Sequence, residues 1–159
     1  MAAKPQQDRH EREEVKLSQA ATYLIEECRM VLPGVQAIFG FQLIAVFNQR
    51  FPADLPEPMQ WLHFGSLSLV ALAVAFLMTP AALHRITGVN HVSRVWLKHS
   101  SRLLLTSMWI LAVGLALDYF VVGWLIFQSP WIALPAAIML AVLTVLWYFY
   151  PRAQNRRGM

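Results

Sequence analysis

Residues 103–127 read LLLTSMWILAVGLALDYFVVGWLIF, and this run decides the fold class. An α-helix rises 1.5 Å per residue, so about 20 apolar residues cross the roughly 30 Å hydrocarbon core of a bilayer. Asp118 is the only formal charge in the run. An acid at the centre of a spanning helix costs about 2.5 to 3.5 kcal/mol. Leu, Ile, Val and Phe fill 14 of its positions, and at about 0.3 to 0.6 kcal/mol each they return roughly 4 to 8 kcal/mol. The segment therefore inserts despite its acid.

Three further stretches meet the same length and composition test. They lie at about 31–50, 61–84 and 131–150, and the third run extends to about 101–127 when its polar first turn is counted. Hydrophobic residues make up 57% of the 159-residue chain and charged residues only 14%, outside the usual balance of a soluble domain. The predicted fold is all-α: a four-helix transmembrane bundle preceded by an amphipathic cytoplasmic helix. Residues 1–12 read as a disordered polar N-terminus, 13–150 as a single membrane domain, and 151–159 as a basic cytoplasmic tail.

Lysine and arginine orient the bundle, because positive loops stay on the cytoplasmic side. Lys4, Arg9, Arg12, Lys16 and Arg29 precede the first span, Arg85, Arg94, Lys98 and Arg102 lie between the second and third, and Arg152, Arg156 and Arg157 follow the fourth. The opposite side carries only Arg50. A twelve-to-one asymmetry across an even number of spans predicts both termini inside. The net charge of +4 is thus read as a topology signal, with no nucleic-acid partner implied. Pro52, Pro56 and Pro58 make the first outer connection stiff, and Gln128-Ser129-Pro130 leaves only a turn between the last two spans, which must be antiparallel neighbours.

Ahead of the first span, Leu17, Ala20, Ala21, Leu24, Ile25, Cys28 and Leu32 recur at the spacing of one helical face, with Glu13, Glu14, Glu26 and Glu27 largely elsewhere. This predicts an amphipathic helix over 13–29, docked on the inner ends of its own bundle or of a second copy. Its acidic polar face suits anionic lipid poorly. Pro33-Gly34 predicts a kink or break where this helix meets the first span. Gly88 and Asn90 are read as the end of the second helix and the start of the third, whose stripe Val92, Val95, Trp96, His99 and Leu103 continues out of the membrane.

Ionisable groups within spans are rare and invite a functional hypothesis. Asp118 lies roughly 14 Å below Phe127, in the outer half of the membrane. Gln42, eight residues before Arg50, falls at about the same depth. The expected intramembrane polar site is therefore Asp118 with Gln42, capped from above by Arg50 or His63. Ser107, Gly114 and Asp118 share one face, a small-polar stripe suited to close helix contact. His10, His63, His84, His91 and His99 include no pair at the i, i+4 spacing of helical metal ligands. No metal, cofactor, phosphate loop or catalytic triad is expected, and the chain is not expected to be an enzyme. The single cysteine, Cys28, excludes an intrachain disulfide.

Two stretches carry a resemblance: RMVLPGVQ at 29–36 running on through GFQL at 40–43 to FNQRF at 47–51, and TPAALHR at 79–85. They resemble a bacterial family of small, uncharacterised four-span membrane proteins, a domain of unknown function some of whose members carry the label sodium:proton antiporter. The resemblance runs from about Glu13 to Arg152 and places emphasis on Pro33, Gly34, Gln36, Arg50, Pro80, His84 and Arg85. It implies the bacterial cytoplasmic membrane as the location. Four spans with one buried acid and no repeat fall short of the two-bundle architecture of antiporters. The expected function is that of a structural, accessory or partner-binding membrane protein, working in the bilayer as a homo-oligomer or with another membrane protein. The alternative is a small oligomeric channel or proton-coupled ion transporter that uses Asp118.

Overall fold

The computed structural model describes residues 4–47, 55–87 and 93–157, and of 4–12, 87 and 155–157 it describes the backbone only. The described chain is all-α. Helix α1 runs Lys4–Phe47, α2 Glu57–Thr87 and α3 Arg94–Phe127. A 3-10 turn, Pro130–Ile132, leads into α4, Ala133–Thr144, and a π-helical turn, Val145–Phe149, joins α4 to α5, Tyr150–Arg157. Four helical segments are long and apolar enough to cross a membrane: Glu13–Phe47, Glu57–Ile86, Arg94–Phe127 and Pro130–Gln154.

Local chemistry explains where these helices begin and end. Ahead of α2 the carbonyl of Pro56 accepts from the backbone N–H of Met59 and of Gln60, at 2.8 and 3.1 Å, while Pro58 falls in the first turn, where no N–H is needed. The cap of α3 is Ser93, whose hydroxyl accepts from the N–H of Trp96 at 3.1 Å and so satisfies one of the helix's unpaired donors. Gly88 and Asn90 lie outside the described residues. Helix α3 ends as Gln128 turns left-handed, at φ 48°, and its N–H reaches the carbonyl of Trp124 at 2.8 Å.

Helix α1 departs from expectation at two places. Residues 4–12, read as disordered, are helical; Pro5 sits in the first turn, and Gln, Arg and Glu, all good helix formers, dominate the stretch from Gln6 to Glu14. The amphipathic stretch and the first span are also one unbroken helix through Pro33. Pro33 lies on the exposed side, so its ring displaces no neighbour, and Cys28 and Val35 remain packed on the opposite face. One lost backbone hydrogen bond does not outweigh those contacts.

Helices α2 and α3 form the most extensive pair, α1 lies against both, and α4 packs on α3. Gly114 makes the central approach close: a Cβ there would stand 3.2 Å from a Val70 methyl and 3.5 Å from the Ser66 carbonyl. Two apolar layers fill the three-helix interior, Val35, Val70, Ala73 and Leu111 in one and Leu24, Cys28, Leu77 and Leu104 in the next. The second layer docks the amphipathic part of α1 on α2 and α3, and an exposed ion pair, Arg94 Nη2 to Glu13 Oε1 at 3.0 Å, lies beyond it. Outward faces carry large apolar side chains such as Phe41, Ile44, Trp109, Leu134 and Ile138.

A candidate functional site: the polar node between three helices

Above the apolar layers the interior changes character. Ser66, His63 and Gln42 are buried to 0, 4 and 3% exposure, on two different helices. The helical register explains the grouping. On α2, His63, Ser66, Val70, Ala73 and Leu77 follow the i, i+3, i+7 path of one face, so the face that is apolar below becomes polar in its last two positions. On α1, Val35 and Gln42 are seven residues apart and share a face in the same way. On α3, Gly114 and Asp118 do so at i, i+4.

The contacts form a chain across the bundle. Asp118 Oδ1 lies 3.2 Å from His63 Nδ1. The other ring nitrogen, Nε2, lies 3.2 Å from the backbone carbonyl of Gln42. The side-chain amide of Gln42 donates to Ser66 Oγ at 3.0 Å, and Ser66 Oγ donates to the carbonyl of Gly114 at 2.9 Å. Helices α1, α2 and α3 are thus joined by one polar network.

The donors and acceptors restrict the protonation states. A carbonyl only accepts, so His63 Nε2 carries a proton. The 3.2 Å approach of Nδ1 to Asp118 Oδ1 is an ion-pair contact outside hydrogen-bond geometry, and it is favourable when the two groups hold one proton between them. That proton resides on the ring, giving an imidazolium–carboxylate pair, or on the carboxyl, giving two neutral groups. Either way the pair is net neutral, which is the less costly state for an acid in an apolar interior. Ser66 has one proton and gives it to Gly114, so it must accept from Gln42, which fixes that amide's orientation. Gln42 Oε1 has no hydrogen-bond partner among the described residues.

The structure brings some of the expected site residues together and leaves others apart. Asp118, His63 and Gln42 meet in the node, with His63 standing between the other two rather than above them. Arg50 lies outside the described residues. Among the residues emphasised by the family resemblance, Pro80 is buried, whereas Pro33, Gly34, Gln36 and Arg85 are exposed. His84 is half-buried, with its ring centroid 5.7 Å from that of Trp96. None of these joins the node. Ser66 was not singled out from the sequence; its spacing three residues after His63 was the available signal. Among the described residues no group of three or more His, Cys, Asp or Glu side chains could hold a metal ion.

A multi-helix protein with a buried polar node and four span-length apolar helices is the class these features define. Residues 10–151 match the family of unknown function DUF6328, and the chain belongs to that family. No curated protein and no solved structure matches it.

Proposed function

We propose that this is a four-span protein of the bacterial cytoplasmic membrane, with both termini on the cytoplasmic side, acting as a structural or accessory subunit rather than as an enzyme or a conduit. The observation that carries this reading is the apolar interior beneath the node. Gln42, His63, Ser66 and Asp118 contact one another, and below them the two layers of described residues hold no buried ionisable side chain other than the Cys28 thiol. Ser107, within this region, turns its hydroxyl back to the Leu104 carbonyl of its own helix at 2.7 Å. A cleft of about 240 Å³ beside these layers is walled mainly by apolar side chains such as Val31, Val35, Leu77, Leu111 and Trp147, with Glu27 and Ser107 as its polar members. Among the described residues, no buried ionisable side chain other than the Cys28 thiol lies between the node and the Lys/Arg-rich end.

The partner is a second copy of the chain or another membrane protein. Gln36 supports this, because it is exposed on the span portion of α1, where an amide facing lipid lacks a partner and helix association supplies one. A second reading, proton-coupled transport, is favoured by the proton that His63 and Asp118 share. The two readings separate in liposomes loaded with pH- and ion-sensitive dyes. The accessory reading expects no flux above protein-free vesicles and no difference between the native chain and Asp118→Asn. Flux by the native chain that Asp118→Asn abolishes, with its stability retained, supports transport instead. Topology is tested with single cysteines in a Cys28→Ser background: Pro56→Cys and Ser129→Cys should react with an impermeant thiol reagent from outside, and Ala153→Cys should not.

A further inference from the structure

The Lys/Arg-rich end contains a cleft of about 570 Å³ between α3 and the α4–α5 rod. Its wall is divided. Arg102 and Arg152 supply two guanidiniums, while Leu105, Trp109 and Phe149 supply an apolar surface. Among the described residues neither arginine pairs with a carboxylate. Arg152 is also held in place: its guanidinium carbon lies 3.5 Å from the centre of the Tyr148 ring, and Nη1 donates to the Tyr148 carbonyl at 3.2 Å. Guanidinium has five N–H donors, so most remain for a ligand.

The π-helical turn builds this wall. The N–H of Tyr150 donates to the carbonyl of Val145, five residues back. In an unbroken α-helix a residue eight positions on is rotated by about 80°, so Arg152 would drift off the face of Thr144. The wider turn takes up much of that drift, and Thr144, Tyr148 and Arg152 all line the cleft. Such insertions recur at functional positions.

We propose that this cleft binds an anionic phospholipid, its phosphate between Arg102 and Arg152 and an acyl chain along Leu105, Trp109 and Phe149. The site rests on the membrane reading above, since it places paired cations at the head-group level and an apolar wall directly beneath. A guanidinium pair matches phosphate oxygens in shape as well as charge, and a zwitterionic choline head would bring its own cation to the same place.

The test uses the full chain in an uncharged detergent, with lipid binding read by native mass spectrometry for phosphatidylglycerol and phosphatidylcholine of matched chains. Phosphatidylglycerol should be retained in preference. Each arginine removed should weaken it about fivefold, and Arg102→Gln with Arg152→Gln together about 25-fold. Thr106→Trp, which fills the cleft without removing charge, should also release the lipid. Arg85→Gln, outside the cleft, should change nothing. Equal retention of both lipids, an unaffected double variant, or an equal loss in Arg85→Gln would overturn the proposal. Thermal stabilisation by inorganic phosphate with the same arginine dependence would reassign the site to free phosphate. A chain that stays dispersed without detergent would instead refute the membrane reading.

Discussion

The contact between His63 and Asp118 lends itself to a double-mutant cycle. The His63 side chain is 5% exposed and that of Asp118 is 22% exposed, at a separation of 3.2 Å. Breaking a fully buried ion pair in a soluble protein costs about 3 to 5 kcal/mol. Hydrogen bonds between membrane helices are worth far less, averaging about 0.6 and reaching about 1.7 kcal/mol. The node belongs near the upper membrane value, because each single change leaves an ionisable partner in an apolar bundle. Asp118→Leu strands the Nδ1 of His63, and an unsatisfied buried polar atom costs about 1 to 3 kcal/mol. His63→Leu strands a carboxyl that is partly exposed, at the lower end of that range. Asp118→Leu should therefore cost about 2 kcal/mol and His63→Leu about 1 to 2 kcal/mol. With both side chains apolar neither ionisable group is stranded, so the double variant should also cost about 2 kcal/mol rather than the sum of about 3 to 4. Asp118→Asn should cost under about 1 kcal/mol, because its amide can donate to Nδ1.

The assay is equilibrium unfolding in mixed micelles with increasing denaturing detergent, followed by helicity and by tryptophan fluorescence. The expected coupling is about 1 to 2 kcal/mol. Additivity of the two single changes within about 0.5 kcal/mol would show that the side chains do not support one another, and the reasoning about the node would fail with it.

Ser66→Ala removes the acceptor of the Gln42 amide and the donor to Gly114; a loss of about 1 to 2 kcal/mol is expected in the same assay, and an unchanged midpoint would mean that the node does not stabilise the bundle. Leu24→Ala should cost at least about 2 kcal/mol, since Leu24 is buried with Cys28, Leu77 and Leu104. Met30→Ala, at a position 76% exposed, should stay within about 0.5 kcal/mol in detergent; equal effects would deny the docking of the N-terminal part of α1. Gly114→Ala should be nearly neutral, because a helix gain of about 1 kcal/mol offsets crowding against Val70. Gly114→Val should lose about 1 to 3 kcal/mol by overpacking, and parity between the two would refute the close approach of α2 and α3.

The four span-length apolar helices were legible because their length and composition are ones that few sequences meet by accident. The run at 103–127 lies wholly inside α3, and the turn at Gln128–Pro130 falls where too little chain remained for anything longer. The course of α1 was less legible. A proline predicts a lost hydrogen bond, but whether the helix breaks depends on which face the ring occupies and what packs opposite. Pro33 is exposed while Cys28 and Val35 are buried, and that balance is set by α2 and α3, which no local rule contains. The π-helical turn at Val145–Phe149 was invisible for the same reason, since its residues are ordinary apolar and aromatic ones.

The node was half legible, and the missing half has a definite cause. Asp118 and Gln42 stood out because a charge and an amide are conspicuous in apolar runs, and counting rise per residue put them at one depth. Depth, however, does not give azimuth. Which side chain stands between them depends on rotation about the helix axis of α2, and there His63 and Ser66 occupy the face that continues Val70, Ala73 and Leu77. A serine in a spanning helix can satisfy itself on its own backbone, as Ser68 does with the Phe64 carbonyl at 2.8 Å. Ser66 instead donates to the Gly114 carbonyl across the interface, at the point where the glycine lets α2 and α3 approach closely. The serine's role was therefore encoded jointly by Ser66 and Gly114, one position on each of two helices, and becomes readable only once their register is known.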